Sequence, residues 1–250
     1  MLEIHICLNP LKCVLYVTAG CLLGFIVSQS GITIDPLKVQ AIAELPPPTK
    51  YFVPLQSLQS KSNFLCRFVP DYATTAHGFL CLLRTYIPFF WDDQAHQSFD
   101  ALKNTLMSAP FIFPLDYNKD LILYVSASPF AVAGMLVQEA ENGCEHIIYC
   151  ISHNLAGPSL SYNYDEKLTL VVIFSVQKLS QYILTRKTKV VTNSTPMLYL
   201  LSRWIINGKF THWIVILQEF DLEFATPKSN KALVLAEFLS NLPSLRPSLE

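Results

Sequence analysis

The pattern that most constrains this chain lies downstream of Pro110, where short apolar runs are spaced first as hairpins and then alternate with helices. Asn142-Gly143 is a strong turn dipeptide between the second and third runs. The predicted elements are strands at 121–127, 131–138, 145–152, 188–193 and 221–226, and helices at 164–184, 208–219 and 231–240. A hairpin meander followed by helix–strand alternation predicts a mixed five-stranded sheet with helices packed on it.

The chain upstream is predicted to be helical, with short links, from residue 32 to about residue 109. A helix over 32–45 has Asp35 as its N-cap candidate and Pro36 at its first position, where proline is favoured. Further helices are predicted over 52–69, over 71–83, and from Asp92 or Asp93 through an apolar face that holds Phe99, Leu102 and Leu106. The chain therefore combines a helical part with a later mixed α/β part.

One apolar stretch, residues 13–27, is open to two interpretations. Its fifteen residues are shorter than the roughly 20 that a membrane span needs, but they suit the core of a signal peptide. Only one basic residue, Lys12, directly precedes the stretch, which is few for a signal peptide. A Thr-Ala-Gly break also interrupts the stretch at 18–20. The break favours a β-hairpin with Gly20 near its turn.

The composition limits the classes of function. Hydrophobic residues make up 51% of the chain, charged residues 15%, and the net charge is −1. Nucleic-acid binders are usually basic, because Lys and Arg on phosphates supply much of the affinity. The seven cysteines are odd in number and form no Cys-x-x-Cys pair, so reduced and mostly buried thiols are expected rather than disulfides or a zinc site.

Six stretches in order along the chain resemble gypsy-type LTR-retrotransposon reverse transcriptases, from the end of the palm through the thumb to an RNase H-like domain. They are LGFIVSQSGI (23–32), GITIDPLKVQAIAELPPPTK (31–50), LQSLQSKSNFLCRFVPDYA (55–73), PFFWDDQAHQSFDALKNTLMSAPFI (88–112), IIYCISHNLAGPSLSYNYDEKL (147–168) and FDLEFATPKSNKALVLAEFLSNLP (220–243). The likeness is to plant elements whose RNase H-like domain is degenerate.

The resemblance implies a domain organisation and a fold. Residues 1–30 would be a residual β-hairpin from the end of the palm, 31–115 a small helical thumb or connection, 116–243 an RNase H-like mixed five-stranded sheet with flanking helices, and 244–250 a tail. The fold class is therefore α+β to α/β. The palm, with its metal-binding aspartates, would lie upstream, so we expect no DNA synthesis from this chain.

The resemblance also locates the four carboxylates that an RNase H uses to hold two Mg²⁺ ions. At those positions this sequence has Ser126, Leu168, Asn193 and Glu237. Only Glu237 is charged, and one carboxylate cannot hold two divalent ions against their hydration. We therefore expect no catalytic residues, no bound metal and no cofactor, although the family uses Mg²⁺.

Two residues near the replaced carboxylate of the long helix have a structural interpretation. Glu166 is two residues before Leu168, about 200° around the helix, and is expected to point elsewhere. Leu168 opens an apolar stripe at helical spacing with Val171, Val172, Val176, Leu179 and Ile183. Leu168 is therefore expected to be a core residue.

Candidate nucleic-acid contacts are four basic residues of the helical part: Lys38, Lys61, Arg67 and Arg84. Ordinary solvated charge is the competing interpretation. The expected partners are an RNA–DNA hybrid or double-stranded nucleic acid, bound weakly, and the missing palm or another protein. No membrane is expected, and we expect an intracellular protein of cytoplasm or nucleus that is not secreted.

Three hypotheses about function follow. The first is a catalytically inactive fragment of reverse transcriptase and RNase H, acting at most in hybrid binding or as a connection scaffold. The second is a protein-interaction module built on an RNase H-like scaffold, which a large exposed apolar patch would favour. The third is a weakly active, Mg²⁺-dependent endonuclease on RNA–DNA hybrids.

Overall fold

The computed structural model of the chain describes residues 16–48, 52–83, 89–141, 143–192 and 209–226. In chain order the strands are β1 (Ala19–Leu22), β2 (Phe25–Ser28), β3 (Gly31–Ile34), β4 (Leu121–Ala127), β5 (Ala131–Glu139), β6 (Glu145–Asn154), β7 (Thr188–Val191) and β8 (Leu222–Ala225). The α-helices are α1 (Pro36–Ala43), α2 (Phe52–Leu65), α3 (Tyr72–Thr75), α4 (His77–Leu80), α5 (Asp93–Met107), α6 (Tyr164–Lys178), α7 (Ser180–Ile183) and α8 (Lys209–Gln218).

The first three strands form an antiparallel sheet in the order β1-β2-β3. A β-hairpin is present over 19–28, but the predicted turn near Gly20 is wrong, because Gly20 pairs with Val27 inside the ladder. The turn lies at Leu23-Gly24, where both residues have positive φ, 54° and 80°. Two consecutive positive φ values match the right-handed twist of a tight hairpin.

The predicted helix over 32–45 begins later than expected. Residues 31–34 form β3 instead, since their β-branched side chains suit a strand paired with β2. The predicted cap is confirmed: the Asp35 carboxylate accepts a hydrogen bond from the Leu37 N–H at 3.0 Å, and Pro36 is the first helical residue.

The helical segment, residues 36–107, has a core of its own. The segment predicted as one helix over 71–83 is two short helices and a 3₁₀ turn (Cys81–Leu83), because Ala76 leaves the helical region at φ −91° and ψ 0°. The Asp92 carboxylate caps α5 by accepting from the Ala95 N–H at 2.7 Å. The predicted apolar face of α5 is buried in this core beside residues of α2, of the 3₁₀ turn after α2 (Cys66–Phe68) and of α4, including Leu55, Leu65, Phe68 and Phe79.

The second sheet has the predicted five strands, which lie in the order β6-β5-β4-β7-β8. β4 pairs antiparallel with β5, and β5 with β6, whereas β4, β7 and β8 run parallel. Strands β4, β5 and β6 lie within two residues of their predicted bounds. The mixed five-stranded sheet with flanking helices is therefore confirmed.

The two faces of this sheet have different neighbours. On one face Leu123 and Val125 share a buried core with residues of α6 and α8. The opposite face holds a smaller cluster around Tyr124, Met135 and Cys150. The predicted apolar stripe of α6 and α7 is confirmed, because all six of its residues are buried in the first core: Leu168, Val171, Val172, Val176, Leu179 and Ile183.

Some predictions lie outside the described residues. These are the last helix at 231–240 and the tail at 244–250. Five cysteines are described, and none of these five is in a disulfide bond. Among the described residues, no helix is both long and apolar enough to cross a membrane.

Candidate functional site

Ser126 lies near the end of the central strand β4 and is only 5% exposed. Side chains alternate between the faces of a strand, and the neighbouring Val125 belongs to the core beneath α6. Ser126 therefore lies on the opposite face, with Tyr124. A hydroxyl tolerates this burial, whereas an unpaired carboxylate would lose its hydration at a high cost in free energy.

Leu168 lies in the first turns of α6 and is fully buried. It packs in the core that contains Val125, so the structure does not bring the side chains of Ser126 and Leu168 onto the same face of the sheet. Glu166 is used at the start of the helix, where its carboxylate accepts from the Asn163 N–H at 3.1 Å. The Asn163 side chain accepts in return from the Glu166 N–H at 2.8 Å, which completes a capping box.

Lys167 is a residue of this region that sequence reasoning missed. Its side chain is 8% exposed, and its ammonium donates to the carbonyl of Pro129, in the turn after β4, at 3.0 Å. A positive charge held near the end of β4 disfavours a divalent cation there. The sequence offers no signal for this contact, because it depends on how α6 approaches the β4–β5 turn.

The other two candidate positions, Asn193 and Glu237, lie outside the described residues. Within the described ranges, no group of three or more His, Cys, Asp or Glu side chains is arranged to hold a metal ion. Mg²⁺ prefers several charged oxygen ligands. The buried Ser126 hydroxyl and the nearby Lys167 ammonium do not fit a Mg²⁺ pair.

The face of the sheet that carries Ser126 is packed by the helical segment. The Ala73 N–H of α3 donates to the Ser152 hydroxyl of β6 at 2.9 Å, and the Thr74 and Ser128 hydroxyls lie 3.4 Å apart. The His77 ring stacks on Phe130 with centroids 4.7 Å apart. We call these three contacts the seam, since they join the helical segment to the five-stranded sheet.

Asp71 lies directly before the seam and is 3% exposed. It caps α3 from the left-handed region, at φ 49°, and accepts from the Thr74 N–H at 3.3 Å. Burial disfavours its charge more strongly than the Thr74 hydrogen bonds favour it, which raises its pKa to about 6. A buried carboxylate with a raised pKa beside the seam had no counterpart among the sequence predictions.

The candidate nucleic-acid residues have different environments. Lys38 on α1 and Lys61 on α2 are exposed, and neither forms a salt bridge within the part of the chain that the structure describes. The Arg67 guanidinium lies over two aromatic rings, 5.2 Å from the centroid of Phe25 and 5.7 Å from that of Tyr149. Arg67 thus links the three-stranded sheet to β6, while Arg84 falls outside the described residues.

Two of the three aromatic residues just before α5, and both histidines of β6, pack against other rings or the helical core. Trp91 contacts Phe99 edge to face at 5.9 Å, and Phe89 packs on the helical core, whereas Phe90 is exposed. His146 stacks on Phe113 at 3.8 Å, and His153 tilts against Phe174 at 5.2 Å. The two histidines are therefore packing residues of β6.

Comparison with known proteins identifies the α/β part. Residues 116–220 match the family model of the RNase H-like domain found in reverse transcriptase. Over 234 residues the chain is 32% identical to the retrovirus-related Pol polyprotein from transposon opus of Drosophila melanogaster, and the match covers 88% of the chain. It is 26% identical over 204 residues to the corresponding polyprotein from transposon gypsy of the same species, which covers 76% of the chain.

These relatives are much longer proteins, since the matches span only 23% of the opus polyprotein and 19% of the gypsy polyprotein. The fold resembles the foamy viral protease-reverse transcriptase in complex with double-stranded DNA, with a TM-score of 0.69 and 20% identity over 85% of this chain and 45% of that one. A structure of the same viral protein with an RNA/DNA hybrid gives a TM-score of 0.68 at 20% identity, over 85% of this chain and 29% of that one.

The five-stranded sheet, the flanking helices and these matches agree. Residues 116–220 are therefore similar to the RNase H-like domain found in reverse transcriptase, and the chain as a whole is similar to segments of retrotransposon Pol polyproteins.

Proposed function

We propose that this chain is a gypsy-type, degenerate fragment of reverse transcriptase and RNase H that has lost nuclease chemistry and acts as a connection module binding RNA–DNA hybrid weakly. In this proposal residues 31–115 are the thumb or connection, and 116–243 are the RNase H-like domain. The observation that carries it is the pair of buried, uncharged residues, Ser126 and Leu168, at positions where the chemistry needs carboxylates.

The Lys167 ammonium adds to this support. Two Mg²⁺ ions would have to bind near a positive charge that is already held by the Pro129 carbonyl. Moving an ion from water into such a surrounding requires compensating negative ligands. Within the described residues Ser126 supplies only a neutral oxygen, so metal binding at this end of β4 is not expected.

Hybrid binding draws its support from two sources. The foamy viral structures similar in fold are complexes with double-stranded DNA and with an RNA/DNA hybrid. Lys38 and Lys61 are exposed on the helical segment, and salt-dependent phosphate contacts need exposed charges of this kind. The small number of such charges, in a chain of net charge −1, makes the expected affinity low.

Fluorescence anisotropy with a labelled RNA–DNA hybrid, recorded at two salt concentrations, tests this function. The double variant Lys38→Gln/Lys61→Gln should bind severalfold more weakly, and the slope of log affinity against log salt should fall by about one for each phosphate that is no longer neutralised. Lys187→Gln is the matched control, since Lys187 pairs with Glu223 at 2.8 Å on the edge strand. No binding by the unmodified chain, or equal weakening in both variants, would overturn the proposal.

A second candidate function, protein interaction, is favoured by the three-stranded sheet. Large apolar side chains are exposed there, including Leu22 at 62% and Leu23 at 80%. Leu23 also has a positive φ of 54°, a conformation that costs free energy for a residue with a Cβ. In this second function the sheet packs against a reverse transcriptase palm or another protein. The variant Leu22→Ser/Leu23→Asn should then lower self-association or partner binding without changing hybrid affinity.

A further inference from the structure

The first residue of α4, His77, contacts the cysteine that directly follows this helix, Cys81. Cys81 Sγ is 3.3 Å from Nε2 of His77 and 3.7 Å from its Nδ1. The two residues are four apart along a helical turn, a spacing that brings side chains onto one face. A thiol beside an imidazole loses its proton more readily, because the imidazolium stabilises the thiolate.

The surroundings of this pair hold the imidazole in place. The His77 ring also makes a parallel stack on Phe130, with an interplanar angle of 18°. On the side of α5, the backbone of Gly78 approaches Ser98 and Gln94 closely, and neither of these side chains carries a charge. The stack and the close helix packing therefore fix the plane of the ring beside the sulfur.

Accessibility separates Cys81 from the buried Cys150, whereas Cys66 is partly exposed like Cys81. Cys81 is partly exposed, whereas Cys150 is fully buried and its pKa is raised to about 12 by burial. Burial also raises the pKa of the Cys66 thiol. Cys21 is exposed, and its Sγ lies 3.7 Å from a carboxylate oxygen of Asp35.

We propose that Cys81 is a modification site at which the thiol, activated by His77, undergoes exchange with low-molecular-weight disulfides. The Cys81 thiol gives its proton to a ring nitrogen of His77. The thiolate then attacks one sulfur of the disulfide, so a new S–S bond forms as the old one breaks. The departing thiolate takes the proton from the imidazolium, which leaves a mixed disulfide on Cys81 and one small thiol in solution.

The test treats the full chain with oxidised glutathione, and separately with iodoacetamide, and follows each cysteine by peptide mass spectrometry. At pH 7, Cys81 should react about ten times faster than the exposed Cys144 or Cys21, since neighbouring His lowers a thiol pKa from its free value of about 8.5. The variant His77→Phe keeps a flat ring against Phe130 and removes both nitrogens. It should slow Cys81 about tenfold at pH 7.

The matched control is His153→Phe. His153 lies in β6 and packs on Phe174, so this change should leave the Cys81 rate unchanged. Labelling of the buried Cys150 reports whether a variant is folded. If His77→Phe exposes Cys150, the pH–rate profile of the unmodified chain decides instead. An apparent Cys81 pKa at or above about 8.5, or a rate no faster than that of Cys144, would overturn the proposal.

Discussion

At the scale of single residues, burial determines which side chains the end of β4 can hold. Ser126 is 5% exposed on a face that α3 helps to cover, and Lys167 supplies a positive charge to the turn beyond it. A neutral hydroxyl oxygen is tolerated at such a position, while an unpaired carboxylate would raise the free energy of the folded state. The chemistry of this point therefore follows from burial as well as from residue type.

Placing a carboxylate there with Ser126→Asp should destabilise the fold by about 2–4 kcal/mol near pH 8, because the buried group loses hydration without full compensation. The destabilisation should be smaller near pH 4, where the carboxyl can be protonated. Ser126→Ala is the control and should change the free energy of unfolding little. Urea denaturation with and without Mg²⁺ checks this, and full rescue by Mg²⁺ would mean that a metal site survives.

Because the pKa of Asp71 is raised, we expect the stability of the fold to decrease with rising pH, which is the opposite of the usual effect of a carboxylate. Its pKa is about 6 when folded, against an ordinary value of 3.8, so the folded chain binds the proton more tightly. Stability should therefore fall as pH rises from about 4 to about 6 and stay lower above that range. Asp71→Asn keeps an amide cap that tolerates positive φ, and should stabilise the chain by about 1–3 kcal/mol at pH 7.5.

The measurement is a series of urea denaturations from pH 4.5 to 7.5, within the range where the chain remains folded. The gain from Asp71→Asn should shrink as the pH falls. Asp120→Asn, at an exposed position directly before β4, is the control and should show no such trend. A gain independent of pH would indicate that the carboxylate of Asp71 is not the cause.

At the scale of elements, the close approach of α6 to the sheet depends on a glycine. A Cβ at Gly134 in β5 would lie 2.7 Å from Ser175 Oγ, closer than side chains normally approach. Ser175 is fully buried, and its hydroxyl has no hydrogen-bond partner among the described residues. The helix and the strand therefore meet through two small residues, one of them imperfectly satisfied.

Gly134→Ala should cost about 1–3 kcal/mol through overpacking. Ser175→Ala should be neutral or stabilising by up to about 1 kcal/mol, because it removes a buried hydroxyl without a partner. The double variant should recover much of the stability, so a double-mutant cycle by chemical denaturation should give a favourable coupling. Additive effects would mean that the helix and the strand have room to accept the extra methyl group.

The elements also show which features of the fold can be predicted from the sequence. Asp35, Pro36 and Asp92 act through their own backbone neighbours, so their caps are predictable from local sequence. Strand β3 was missed because its ladder partner, β2, decides its conformation. The turn at Leu23 was missed because a leucine with positive φ carries no turn signature.

At the scale of the whole molecule, the seam joins two parts that are separate in the sequence pattern. Its two hydrogen-bonded pairs, Thr74 with Ser128 and Ala73 with Ser152, bridge separations of 54 and 79 residues along the chain. Periodicity reports which residues are buried within an element but not which elements meet. The position of Ser126 could thus be predicted, while its covering by the helical segment could not.

The seam should make the helical segment and the five-stranded sheet unfold together. Ser152→Ala leaves the buried Ala73 N–H without its partner and should cost about 1–3 kcal/mol. Ser108→Ala, an exposed site at the end of α5, is the matched control. Denaturation followed by tryptophan fluorescence and by far-ultraviolet circular dichroism should give one coincident transition. Two separate transitions would show that the parts are independent.

The loss of nuclease activity proposed for this RNase H-like domain can be tested directly. The most direct measurement is a single-turnover cleavage assay, with excess purified chain on a labelled RNA–DNA hybrid in Mg²⁺ and, separately, in Mn²⁺. We expect no cleavage above a no-protein control, at concentrations where anisotropy detects the bound hybrid. Metal-dependent cleavage that disappears in Glu237→Gln would contradict it and would establish an active hydrolase with rearranged carboxylates.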